Sequence, residues 1–137
     1  MTYKDFLETK IELATESGFS VDPEKVNKVL KPHQRDAVVW ALKGGRRALF
    51  ESFGLGKTVQ EIEFCHLAAE HSGGRALIVL PLGVKQEFTH DAVEVLGYEK
   101  PEYCRTMDEV EKSTNQIVLT NYERVRDGDI RPDYFTA

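Results

Sequence analysis

The strongest chemical signal in this 137-residue chain is one run, Glu51-Ser52-Phe53-Gly54-Leu55-Gly56-Lys57-Thr58. Gly54 and Gly56 let a backbone curl tightly and turn successive N–H groups toward a phosphate. Lys57 brings a flexible point charge suited to the β- and γ-phosphates of a nucleotide, and Thr58 a hydroxyl ligand for Mg²⁺. A helix opening at Lys57 adds unpaired N–H donors and the positive end of its dipole. Such a loop needs a buried strand before it and a helix after it. Ala48-Leu49-Phe50 supplies the apolar run before. Val59, Ile62, Cys65 or His66, and Ala69 recur at helical spacing after it, until Gly73-Gly74. Glu51 stands where the general phosphate-loop pattern has Gly, and the plain alternative is a glycine turn leading into a helix with a surface lysine.

The rest of the chain must position that loop. Residues 4–16 place Phe6, Leu7, Ile11, Leu13 and Ala14 among charges, as in an amphipathic helix stopped near Gly18. Asp22-Pro23-Glu24 reads as an N-cap and first turn of a short helix through Val29. Pro32 opens another helix, with Ala37, Val38, Trp40, Ala41 and Leu42 as its apolar, core-facing set and Gly44-Gly45 as its end. Ala76–Leu80 is an unbroken apolar run closed by Pro81, which predicts a strand buried on both faces of a parallel sheet. A helix follows over Val84–Leu96, then short strands at Tyr103–Arg105 and Ile117–Thr120, with helical turns at 107–112 and 122–126. Strands alternating with helices from residue 46 onward imply an α/β fold, a parallel sheet flanked by helices. Residues 1–29 form a helical N-terminal preface, and residues 30–137 the α/β unit.

Composition narrows the function classes. A net charge of -5 argues against a protein that coats nucleic acid by bulk positive charge, while leaving local basic contacts open. No apolar run approaches the ~18 residues of a membrane span, and the N-terminus lacks a signal-peptide core. Cys65 and Cys104 have no ligand spacing and read as two buried thiols of a reduced, cytoplasmic protein. His66, His71 and His90 show no pairing that would hold a transition metal. Glu61 and Glu63 fall on the polar side of the loop's helix.

In order and type, four segments resemble the first RecA-like domain of superfamily 2 helicases and translocases, closest to the Swi/Snf-type DNA translocases. Glu51–Thr58 fits that family's form of the phosphate loop, in which the first Gly is replaced. Leu30-Lys31-Pro32-His33-Gln34 resembles its Leu-Arg-Pro-Tyr-Gln segment. Ala76–Pro81 with Leu82, Val84 and Phe88 resembles motif Ia, and Val118–Glu123 motif Ib.

The resemblance implies a P-loop NTPase of RecA-like fold binding ATP and Mg²⁺. Its nucleotide-binding residues would be Gln34 at the adenine edge with Phe53, Gly54, Leu55, Gly56, Lys57 and Thr58 at the phosphates. Lys57 and Thr58 would be the catalytic pair, with Thr58 on the metal. A glutamine amide has the donor and acceptor that adenine N6 and N7 require. Leu82, Lys85, Thr120, Asn121 and Tyr122 would touch nucleic acid, with DNA the substrate that the resemblance implies. Thr120 or Asn121 also suits an N-cap for the helix that follows. The family's hydrolysis uses an Asp-Glu pair on a later strand and arginines from a second RecA-like domain. Asp108-Glu109 lies in a polar helical stretch and is not that pair. The chain is therefore expected to be an incomplete domain, the N-terminal part of an ATP-dependent helicase or translocase. The alternatives are a catalytically inactive nucleotide-responsive or protein-binding module and, more remotely, another P-loop kinase or ATPase.

Overall fold

A computed structural model describes residues 18–45 and 57–136. The helix expected over 4–16, the strand over 48–50 and the loop over 51–56, with Phe53, Gly54, Leu55 and Gly56, lie outside the described residues.

Among the described residues three parallel strands form the sheet: β1 (Ala76–Val79), β2 (Glu102–Tyr103) and β3 (Ile117–Thr120), in the order β1-β3-β2. Ala76 pairs with Ile117 and Val79 with Thr120, while Glu102 pairs with Val118. Alternate side chains of a strand point to opposite faces. Ile117 and Leu119 enter the larger core with Ala76 and Ile78, whereas Val118 enters a second core with Cys104, Val110 and Ile130. Helices α1 (Pro32–Gly44) and α2 (Lys57–Ser72) pack together and cover the first face. The same face carries α3 (Lys85–His90), which runs on into a π-helical turn, Asp91–Val95. The second face is covered by α4 (Met107–Lys112) and by the chain that follows α5 (Tyr122–Arg126). The result is a mixed α/β fold, a small parallel sheet flanked by helices.

Full burial on both faces belongs to β3, every residue of which is buried. It does not hold for β1, where Val79 is 45% exposed. Ala76 and Leu80 spend their N–H groups on β3, at Gln116 O and Thr120 O. By alternation Arg75, Leu77 and Val79 face the other edge. There Thr136 N–H donates to Arg75 O at 2.9 Å. The strand expected over Tyr103–Arg105 sits one residue earlier, because the Arg105 N–H turns away to Glu109 Oε2 at 2.8 Å.

Ahead of α1, the expected helix through Val29 is a single 3₁₀ turn, Pro23–Lys25. Asp22 caps it as expected, its carboxylate accepting from Glu24 N–H. Phe19, Val21, Val26 and Leu30 pack into the larger core. The helix expected over Val84–Leu96 is divided into a 3₁₀ turn, α3 and the π turn, and it stops at Gly97 with φ 73°. A positive φ is free for glycine and strained for other residues, as at Gly45, which ends α1 with φ 80°. Trp40, expected in the core, is 46% exposed on α1.

One further expectation on α2 is corrected: Glu63, expected on its polar side, is fully buried, as is Gln60. The Glu63 carboxylate accepts from Asn27 N–H at 2.7 Å and from the Tyr98 hydroxyl, while Asn27 Nδ2 donates to Leu96 O at 2.9 Å. A buried carboxylate needs such partners, since a desolvated charge left alone costs several kcal/mol or more, on the order of 3–5 when one partner is removed.

Cys65 and Cys104 are buried free thiols. Burial pushes Cys65 up to about 12 and Cys104 up to about 11. An unfolded thiol ionises near ~8.5. The folded state therefore holds these protons longer, so the linked stability is complete below about pH 8.5 and is lost as pH rises toward the folded values. At mildly alkaline pH, a thiol-reactive disulfide reagent should modify neither cysteine in the native chain and both in denaturant. Rapid native labelling would contradict the burial.

Candidate functional site

Lys57 and Thr58 form the first turn of α2, a 16-residue helix. Lys57 is exposed and Thr58 half-buried. A lysine and a threonine hydroxyl at the positive end of a long helix match the charge and hydrogen-bond demands of a nucleotide phosphate with its Mg²⁺. Lys57 lines a cavity of about 450 Å³ together with Gln60 and Glu61 of α2, Val38 and Ala41 of α1, and Leu77 and Val79 of β1. The start of α2 thus lies beside the side of β1 that faces away from β3. Glu61, one turn beyond Lys57, is held above the usual carboxylate range by burial, and the nearby Lys57 charge opposes that rise. A carboxyl group in that cavity was not expected from the helical pattern.

Gln34 lies in the first turn of α1 and is buried, 7% exposed. Its Oε1 accepts from Lys31 N–H at 2.8 Å and so serves the start of α1. Gln34 is not on the cavity lining, though Val38, one turn further along the same helix, is. Lys31 is exposed, and Arg35 approaches Asp36 at 3.8 Å.

A second group gathers after the carboxyl ends of β1 and β3, where open α/β sheets place their ligands. Because the two strands are adjacent and parallel, Leu82 and Lys85 follow one end and Thr120, Asn121 and Tyr122 follow the other. Their roles divide sharply. Leu82 is 56% exposed and Tyr122 63% exposed. Lys85 holds its ammonium 4.8 Å above the Tyr103 ring, an arrangement that attracts cation to π face. Thr120 is fully buried and donates its hydroxyl to Cys104 O at 2.9 Å, tying β3 to the end of β2. It does not face outward as a phosphate ligand would. Asn121 occupies the N-cap position of α5, but its side chain makes no cap hydrogen bond. Its Oδ1 accepts from the Tyr103 hydroxyl at 2.5 Å, and its Nδ2 donates to Glu123 Oε2 at 2.6 Å. Leu82, Lys85 and Tyr122 therefore present the surface, and Thr120 and Asn121 brace it.

The buried polar residues Gln60 and Glu63 were missed because α2 packs on nearly every side: Val59, Ile62, Cys65, Leu67 and Ala69 are buried along with them. A helix embedded in a core carries no outward polar stripe to read. Among the described residues, no group of three or more histidine, cysteine or acidic side chains is placed to hold a metal ion, and no helix is long and apolar enough to cross a membrane. No protein-family model matches the chain, and a search of curated proteins finds no match.

The division at the sheet edge predicts opposite outcomes for neighbouring residues. Asn121→Ala should lower unfolding stability by about 1–3 kcal/mol, since the Tyr103 hydroxyl loses its acceptor. Tyr122→Ala should change stability by less than about 0.5 kcal/mol, as an exposed side chain does. Urea titrations of both variants check this.

Proposed function

We propose that the chain is the N-terminal, nucleotide-gripping part of an ATP-dependent helicase-like DNA translocase of superfamily 2. The observation that carries the reading is that Gly54-Leu55-Gly56 leads directly into Lys57-Thr58, the first turn of a long helix beside a parallel sheet. In this reading Lys57 neutralises the β/γ-phosphates, Thr58 holds Mg²⁺, and the Gly54–Gly56 backbone cradles the phosphate oxygens. The metal, when bound, supplies charge neutralisation at the transferring phosphoryl group. Gln34 meets adenine through its amide, with its Oε1 already engaged by Lys31 N–H. Leu82, Lys85 and Tyr122 contact the nucleic-acid strand at the sheet edge. A lysine meets phosphate, and an exposed tyrosine ring offers a stacking face to a base.

The same reading limits the chemistry. Asp108 and Glu109 lie on α4, where Glu109 accepts from Arg105 N–H and Asp108 pairs with Lys112, so both carboxylates are committed within that helix and its start. The residues assigned here bind Mg·ATP, while hydrolysis in that family also draws on an acidic pair and an arginine finger, each worth orders of magnitude in rate. The chain should bind ATP.

Titrating the chain with a fluorescent ATP analogue in the presence of Mg²⁺ tests this. Saturable binding should weaken by about tenfold or more in Lys57→Ala, in keeping with loss of a charge-assisted contact of about 1.5–3 kcal/mol. Absence of binding by the wild-type chain, or equal binding by Lys57→Ala, would overturn the phosphate-site assignment.

A further inference from the structure

A cavity of about 710 Å³ lies between α3 and the β2 edge. That volume suits a small ligand. Its apolar walls are Tyr103, Leu119 and Pro101, and Lys85, Thr89 and Lys100 add polar groups. Several other basic side chains are paired, as in Lys28–Glu24, Lys112–Asp108, Arg124–Asp129 and Arg126–Asp127. Among the described residues, neither Lys85 nor Lys100 has a carboxylate within ion-pair distance, and both line this one cavity. Lys85 rests its ammonium over the Tyr103 ring instead. Asn115 Nδ2 donates to Lys100 O at 2.5 Å, holding the backbone at that rim. His90 and Glu102 complete the mouth, with His90 Nδ1 3.3 Å from Asp91 Oδ1.

An apolar slot with two unpaired ammonium groups calls for a ligand with a flat apolar body and an attached anion. The cavity also joins the sheet edge, since its Tyr103 wall donates to Asn121, the residue before the exposed Tyr122. We propose that this cavity receives one unstacked nucleotide of a single-stranded nucleic acid: the base enters against Tyr103, and Lys85 and Lys100 hold its flanking phosphates. The inference rests on the nucleic-acid part of the proposed function and extends it. The edge residues Leu82 and Tyr122 guide the strand, and the cavity takes one base out of its stack. Unstacking is cheapest in a single strand. A positively charged track with an apolar or aromatic platform is the usual physics of single-strand binding.

The test uses fluorescence anisotropy of a labelled oligothymidine of about 12 nucleotides, within the span of known single-strand sites. The whole chain is measured beside Lys100→Glu, Thr89→Trp and Tyr122→Ala. Lys100→Glu changes an exposed side chain, so its fold is retained, and thermal melting verifies this. Thr89→Trp fills the slot. The cavity assignment predicts binding that weakens about tenfold or more in each of Lys100→Glu and Thr89→Trp, with the salt dependence of Lys100→Glu reduced by about one phosphate contact. Binding lowered by Tyr122→Ala but unchanged by both cavity variants would overturn the cavity and leave the sheet-edge reading standing. No binding by the wild-type chain would overturn both. Free thymidine monophosphate binding as tightly as the oligonucleotide would overturn a strand as the source.

Discussion

The four-residue strand β3 is the constraint on which the rest depends. It pairs with β1 along one edge and β2 along the other, and each of its residues is buried. A strand with both edges paired and both faces covered leaves no backbone group to water, so its neighbours are fixed in register. Its polar members are satisfied internally, as when Thr120 donates to Cys104 O. Because β1 and β3 run parallel and adjacent, the segments leaving them emerge side by side. That single fact brings Leu82 and Lys85 next to Asn121 and Tyr122.

A second point of fixation is the buried Glu63 carboxylate. It joins three segments distant in sequence: the stretch around Asn27, helix α2 and the end of the π turn at Tyr98. The Tyr98 ring also stacks on His66 at 4.0 Å, and His66 Nδ1 meets Gln116 Oε1 at 2.8 Å. Burial and the Glu63 bond hold the Tyr98 hydroxyl well above the ordinary tyrosine range. The helix that begins at Lys57 is thus anchored in its middle.

Much of this was legible in the residues, and the failures have physical causes. The apolar runs at 76–80 and 117–120 and the stop at Gly45 follow from local chemistry, and the structure has them. Local chemistry does not show which strand is central. Ala76–Val79 and Ile117–Thr120 look alike in sequence, yet Val79 is exposed, and Thr120 is buried on a strand that pairs with both β1 and β2. Glu63 reads as solvated until the segment before α1 and the Tyr98 region fold over it. Trp40 reads as core by residue type, but it projects from the exposed side of α1. At the site, Lys57 and Thr58 fall at a helix start as their sequence context requires, whereas Thr120 and Asn121 are hydroxyl and amide groups consumed by their own neighbours.

The proposed chemistry concentrates nucleotide contacts at the start of α2 and nucleic-acid contacts at the carboxyl edge, two regions joined through β1. Hydrogen exchange of the intact chain, with and without Mg·ATP, addresses the first of these most directly. The account predicts slowed exchange in the peptide that opens α2, residues 57–64, and in the opening of α1 around Gln34, with the β2 edge unchanged. Exchange unaltered at residues 57–64, or protection confined to the β2 edge, would contradict it.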